Sequence, residues 1–382
     1  MLSEDNIELI KTQIESSYKA TEEPVIEKLR EFARKIKADI KILRPYTATA
    51  VSFVSADGGN NNITFNPCVL ELVRVVDSRG IQCAMDPIFG NSNADILNER
   101  IKKIKPLERL CNDLGVNKLT EVSYLLQGLG QPGKSAGSIQ VYRDIMEWAI
   151  LYDFLFNDWG NNTIIIREGL LRTKSIKNTL FPIMDKKIRD KCLEHKSQRN
   201  INVNIVGVAK ENAVISRLSI ALALENVFRL PYPCYVKVPD EIEQYCYNYD
   251  RTWFNTFENN EENGDNKNLN YASMGKLFLV KFGDGAYDPV WPVDIAGWDE
   301  KNADMILGQL LHDARLGFPI PDFPLSIQKA HDHAKIGGIE LEILEDMLIE
   351  GINRSLSDSE KESIYRIKYL YRNLTKARYK NA

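Results

Sequence analysis

Apolar residues in the first forty positions recur at helical spacing: Ile7, Ile10 and Ile14, then Val25, Ile26, Leu29, Phe32, Ala33 and Ile36. That spacing predicts two amphipathic helices with an interruption near Pro24. From about Ala50 the pattern turns to β. Ala50 to Gly59, then Cys68 to Asp77 with Val69, Val73, Val75 and Val76, then a short run from Ile81 to Met85 read as a three-strand meander. Ser138 to Asn157 predicts a strongly apolar helix, and Thr163 to Glu168 a short buried strand ending in charges before Gly169. A second such strand is expected over Asn202 to Lys210, with a helix somewhere in 175 to 195 between them and another over Ala213 to Val227. The order is βββαβαβα, an α/β chain. Glu258 to Asn270, rich in Asn and Glu, predicts a solvated loop, after which strands resume at Lys276 to Phe282. Helices near 301 to 315, 328 to 353 and 357 to 377 close the chain.

Composition narrows the class. The chain has 382 residues, 44% hydrophobic and 27% charged, which is ordinary globular composition for one enlarged core with terminal helices. No apolar run approaches the length of a membrane span, and the amino terminus lacks a signal-peptide pattern, so a soluble, cytoplasmic protein is expected. The six cysteines, at 68, 83, 111, 192, 234 and 246, have no Cys-x-x-Cys spacing and no His at zinc-finger distance, and read as reduced, mostly buried thiols. A formal net charge of −4 excludes a protein coated in basic surface. Nucleic-acid binding would then need a local groove or a partner.

Three acids fall at informative places. Asp57 stands at the expected end of the first strand, before Gly58 and Gly59, where a turn would leave its carboxylate open; the same residues also suit a plain turn. Glu147 lies on a helix with Ile145, Met146, Trp148, Ala149, Ile150, Leu151, Phe154, Leu155 and Phe156, which leaves little solvated face. A buried acid there needs a metal or a partner, and Arg143 is the obvious partner. Glu168 ends the isoleucine strand, as a ligand or as an acid at a helix amino terminus. An acid on the first strand, another on the next helix and a third ending the next strand form an RNase H-like arrangement. Clustered carboxylates suit Mn²⁺ or Mg²⁺, and two such ions can activate water and stabilise a leaving oxygen in phosphodiester hydrolysis. The fold expected is therefore an RNase H-like mixed sheet flanked by helices, with amino- and carboxy-terminal helical extensions.

At these residues the chain resembles the NurA nucleases over about residues 45 to 345. Ser55-Ala56-Asp57-Gly58-Gly59 is similar to the family's first-strand Asp-Gly-Ser element, and Glu147 sits where its helical glutamate would fall. Ile164 to Leu171 resembles its Arg-Asp-Gly-Ser-Leu segment, with Glu168 in place of Asp and Leu in place of Ser. Val206-Gly207-Val208-Ala209-Lys210 is similar to its Gly-Val-x-Lys strand, so Lys210 would hold a scissile phosphate; otherwise it is a solvated strand end. Pro319 to Leu325 and Ala330 to Lys335 resemble its Pro-Leu-x-x-Ala-His helix, making His331 a metal ligand or proton donor. Asp332 and Asp294 are weaker candidates for a further acid.

The resemblance implies metal ligation by Asp57, Glu147, Glu168 and His331, with Mn²⁺ or Mg²⁺ as cofactor. It implies cleavage of DNA as a 5′–3′ exonuclease, a single-strand endonuclease or both. It further implies a homodimer working with a HerA-like hexameric ATPase in DNA-end processing or antiviral defence. The domains expected are helices over 1 to 44, a nuclease domain over 45 to 345 and a carboxy-terminal helix and tail over 346 to 382.

Two other readings stay open. Gly128 to Ser135 fits the Gly-x-x-x-x-Gly-Lys-Ser pattern of a phosphate-binding P-loop, which requires a buried strand just before it and a helix just after. Leu119 to Gln127 reads instead as a short helix. The third reading is a non-catalytic binding subunit, with Glu168 marking a decayed site and the terminal helices docking a partner. Basic residues from Arg366 to Lys380, interleaved with Tyr365, Tyr369 and Tyr371, could contact DNA phosphates or form a solvated helix.

Overall fold

The computed structural model describes residues 4–65, 68–129, 135–249, 272–354, 356–357 and 360–361. α1 (Glu4–Ser17) runs through one π turn into α2 (Glu23–Ala38), and Pro24 stands in the first turn of α2. A proline costs least there, because a first-turn amide has no intrahelical partner to lose. β1 (Lys41–Ile42) precedes the expected meander of β2 (Val51–Phe65), β3 (Cys68–Asp77) and β4 (Gln82–Phe89). Then come α3 (Ala94–Arg100), α4 (Lys105–Leu114), α5 (Leu119–Val122), a 3-10 turn (Tyr124–Gly128) and α6 (Ser135–Phe154). β5 (Asn162–Glu168), β6 (Arg172–Thr173), α7 (Phe181–Arg199), β7 (Val203–Val208) and α8 (Ala213–Leu224) complete the predicted alternation. The rest is β8 (Cys234–Lys237), α9 (Asp240–Tyr249), β9 (Ala272–Ser273), β10 (Gly275–Lys281), β11 (Val290–Ala296), α10 (Ala303–Arg315), α11 (Leu325–Ala334) and α12 (Gly338–Asn353).

The main sheet has nine strands in the order β1-β8-β10-β11-β7-β5-β2-β3-β4. Within it β2, β5 and β7 are parallel, while β3 is antiparallel to both β2 and β4. Five strands ordered β4-β3-β2-β5-β7, with helices in the crossovers, form the expected RNase H-like arrangement. The antiparallel strands β11, β10, β8 and β1 extend it on the far side. A separate ribbon pairs β6 with β9.

The isoleucine strand works because it is central. Ile165 packs with α4, α6 and α7 on one face, while Ile164 and Ile166 pack with α10 and α11 on the other. Being covered on both sides removes the alternation that a half-exposed strand would show. Leu29, Ala33 and Ile36 of α2 join α8, α9, β8 and β10 in a third cluster.

Three local expectations change. The first strand does not end at Asp57: β2 continues to Phe65, and Gly58 and Gly59 pair with β3 inside the ladder. The helix expected over 328 to 353 is two helices, because the chain leaves helical geometry at Lys335 and restarts after Gly337. The segment preceding residue 129 is helical, so no strand leads into the Gly-Lys-Ser sequence as a P-loop needs. Residues 130–134 of that motif, the Asn-rich stretch of 258 to 270 and the basic-aromatic stretch of 365 to 380 lie outside the described residues. No helix among those described is long and apolar enough to cross a membrane. Cys83, Cys111, Cys192, Cys234 and Cys246 are free thiols, and all but Cys83 are buried.

Candidate active site

Strand register brings the first two acids together. β2 and β5 pair in parallel up to Ala56 opposite Arg167, and the next residue on each strand is Asp57 and Glu168. Side chains alternate along a strand, so both carboxylates leave the sheet on the face covered by α10 and α11. Glu168 in turn pairs with Val208 of β7, and Lys210, two residues on, returns to that face. Lys210 Nζ donates to Glu168 Oε1 at 2.7 Å.

α11 supplies the third group. Its first turn is pinned: Ser326 Oγ donates to Asp313 Oδ2 of α10 at 2.6 Å, and Gln328 Nε2 donates to the carbonyls of Ile320 and Phe323 at 2.8 and 2.9 Å. The proline-rich segment of 319 to 324 thus fixes the helix that carries His331. His331 Nδ1 lies 2.7 Å from Asp57 Oδ2 and 3.9 Å from Glu168 Oε2. Asp57 Oδ1 also accepts from the Gly58 amide at 2.8 Å. Potential ligand atoms of Asp57, Glu168 and His331 all fall within 4.8 Å of one another, the one such group of three or more among the described residues.

Electrostatics at this point are strained in favour of a cation. Burial, then the charge of Asp57, pushes the Glu168 carboxyl upward, with Lys210 and His331 opposing. Its Oε2 is buried and has no hydrogen-bond partner. A buried carboxylate oxygen without a donor is costly, and a divalent cation would satisfy it. The donor set of two carboxylates and one imidazole suits Mn²⁺, and the glutamate's extra methylene does not keep Glu168 out of the group.

The structure does not bring Glu147 into that group. It reaches β2 from α6, on the opposite face, and packs against Gly58, where a Cβ would stand 2.5 Å from its Oε1. Arg143 Nε lies 3.4 Å from the same oxygen, the partner anticipated from sequence. Burial, then the charge of Asp144, raises the Glu147 carboxyl to about 8. Gly59 points the other way, toward α11, where a Cβ would run into the Ala334 carbonyl. The glycine pair therefore serves two close helix approaches, one on each face, rather than a turn.

Asp294 and Asp332 stand elsewhere. Asp294 is fully buried and takes both Arg172 Nε at 2.9 Å and Arg172 Nη2 at 2.6 Å. Asp332 is exposed and pairs with Lys335 at 2.8 Å. One device escaped the sequence reading: Arg167 bonds Asp144 of α6 and donates from Nη1 to the Leu170 carbonyl at 2.8 Å, bracing the turn after Glu168. An arginine inside a buried strand needs an acid, and that requirement was the available signal.

No family model matches the chain, and no curated protein matches it. Among solved structures it is similar to the NurA nuclease from Sulfolobus solfataricus, at 15% identity over 94% of this chain and 99% of that one, with a TM-score of 0.42. It is also similar to NurA bound to dAMP and manganese, at 12% identity over 95% and 99%, with a TM-score of 0.40. A third, NurA with manganese, gives 12% identity over 93% and 99%, with a TM-score of 0.33. Likeness at that level assigns no activity, so the chemistry rests on the side chains.

Proposed function

We propose that the chain is a metal-dependent nuclease that hydrolyses phosphodiester bonds in DNA. The observation that carries this reading is the convergence of Asp57, Glu168 and His331 from three separate elements, with a buried carboxylate oxygen of Glu168 left without a donor. The order of sequence motifs resembling NurA supports it independently. Asp57, Glu168 and His331 would hold Mn²⁺ or Mg²⁺. When bound, the cation supplies Lewis acidity toward a phosphate oxygen and lowers the pKa of water. Lys210, fixed by Glu168, presents a positive charge to the scissile phosphate. In place of ligating the cation, His331 can hold or pass a proton at Nδ1 beside Asp57. Glu147 is not one of the three convergent groups and packs against Gly58, next to Asp57. In this reading the substrate is DNA, and a homodimer partnered by a HerA-like hexameric ATPase is the assembly that the motifs imply. Cleavage would be 5′–3′ exonucleolytic, endonucleolytic on single strands, or both, in a cytoplasmic protein.

Cleavage of labelled single- and double-stranded DNA with Mn²⁺, Mg²⁺ or EDTA tests the proposal, with a HerA-like partner supplied in parallel. Cleavage should require metal and fall on the order of a hundredfold or more in Asp57→Ala. Folded protein that cleaves nothing with metal and partner present would instead favour a binding subunit.

A further inference from the structure

Beside Glu168 a cavity of about 760 Å³ opens between α6, the segment following β5 and the amino-terminal end of α8. Its volume lies within the range of roughly 300–1,000 Å³ typical of small-ligand sites. α8 leaves β7 at the carboxyl edge of the parallel strands, so its amino terminus points its amides toward the edge where Glu168 and Lys210 stand. Twelve residues make a helix long enough for that end to attract an anion, and its first turn contains no acid. Arg217 and Ser216, in that part of α8, line the cavity, and Lys174 lines it from the segment after β6. Four acids also line it: Asp144 is paired with Arg167, Glu147 stands beside Arg143, Glu168 is paired with Lys210, and Glu211 is exposed.

Asn212 supplies the independent sign of a ligand. It lines the cavity, is only 9% exposed, and caps α8 by accepting from the Ile215 amide through Oδ1 at 2.8 Å. Its Nδ2 is buried and has no hydrogen-bond partner among the described residues. An asparagine needs only its oxygen to cap a helix, and serine would do that alone. A buried amide donor with nothing to bond is costly, and an anion oxygen is the acceptor that the surrounding cations favour.

We propose that this cavity is a phosphate subsite, in which the amino-terminal end of α8, the Asn212 amide, Arg217 and Lys174 hold a phosphate group of a nucleic-acid strand next to the one being cleaved. The inference deepens the nuclease reading and rests on it for the phosphate's carrier. The site sits across Glu168 from His331, so one strand passing along the carboxyl edge would present successive phosphates to the subsite and to Asp57, Glu168 and His331.

The test is binding of a fluorescent, 5′-phosphorylated single-stranded oligonucleotide to the full chain in EDTA, across a salt series. Arg217→Ala should weaken binding about tenfold and reduce the salt slope by about one. Asn212→Ser, which keeps a capping oxygen but loses the amide, should weaken binding several-fold at unchanged melting temperature. Inorganic phosphate and a mononucleotide should both compete in wild type and lose their effect in Arg217→Ala. Unchanged affinity and salt slope in both variants would overturn the proposal, as would competition by mononucleotide without competition by phosphate. Failure of the nuclease reading shows separately: Asp57-dependent cleavage would then be absent while the oligonucleotide still bound through Arg217.

Discussion

Glu147 is the residue at which pH should act most visibly. Its carboxyl is raised to about 8, chiefly by burial, whereas an unfolded glutamate titrates near ~4.3. Between those values the folded chain holds a proton that the unfolded chain has released. The stability that Glu147 contributes is therefore complete below the unfolded value and is lost as pH rises through about 8. Urea unfolding of the metal-free protein should show a loss on the order of a few kcal/mol between about pH 6 and about pH 9, absent in Glu147→Gln. An equal loss in that variant would place the titration elsewhere. The sequence showed that the helix of Glu147 leaves little solvated face. It did not show which face of the sheet that helix covers, so Glu147 was grouped with acids that lie across the strand. Asp57 and Glu168 stood together in the sequence through the order of elements, and Lys210 joined them through the motif resemblance, whereas the register that sets them side by side is a long-range pairing.

At the scale of elements, β2 is held between two helices by glycines of opposite direction. Gly58→Ala would press on the Glu147 carboxyl and the Arg143 side chain, both of which can move. Gly59→Ala would press on the Ala334 backbone, which cannot move without shifting α11 and His331. Overpacking of this kind costs about 1–3 kcal/mol, and the larger loss belongs to Gly59→Ala. That variant should also lose Mn²⁺ affinity, whereas Gly58→Ala should retain most of it. Thermal melts and metal titrations compare the two, and a Gly59→Ala protein as stable and as metal-competent as Gly58→Ala would refute this account of the strand. A pair of glycines after an acid reads as a turn in sequence because the helices that demand them come from distant parts of the chain.

Across the whole molecule, the parallel centre of the sheet was legible chiefly through β5 and β7, which are buried strands set between helices. The antiparallel extension was less so: β1 has two residues and β8 has four, and strands that short are defined by their neighbours. The β11–β7 ladder joins this extension to the centre, and a buried ion bridge from the separate ribbon braces it. Arg172 of β6 bonds Asp294 of β11 and, at 2.7 Å, Glu243 of α9. Asp294→Ala would leave the guanidinium buried without its main partner and should cost about 3–5 kcal/mol in urea unfolding. A change within experimental error would show that the bridge does not hold the two parts together.

The claim on which the rest depends is that Asp57, Glu168 and His331 form one divalent-cation site. Calorimetric titration of Mn²⁺ into the wild-type chain, Asp57→Asn, Glu168→Gln and His331→Ala measures it without requiring substrate. The account predicts saturable binding in wild type and a loss of affinity in all three variants, on the order of tenfold or more each. Wild-type protein that binds no Mn²⁺, or binding that all three substitutions leave unchanged, would contradict it.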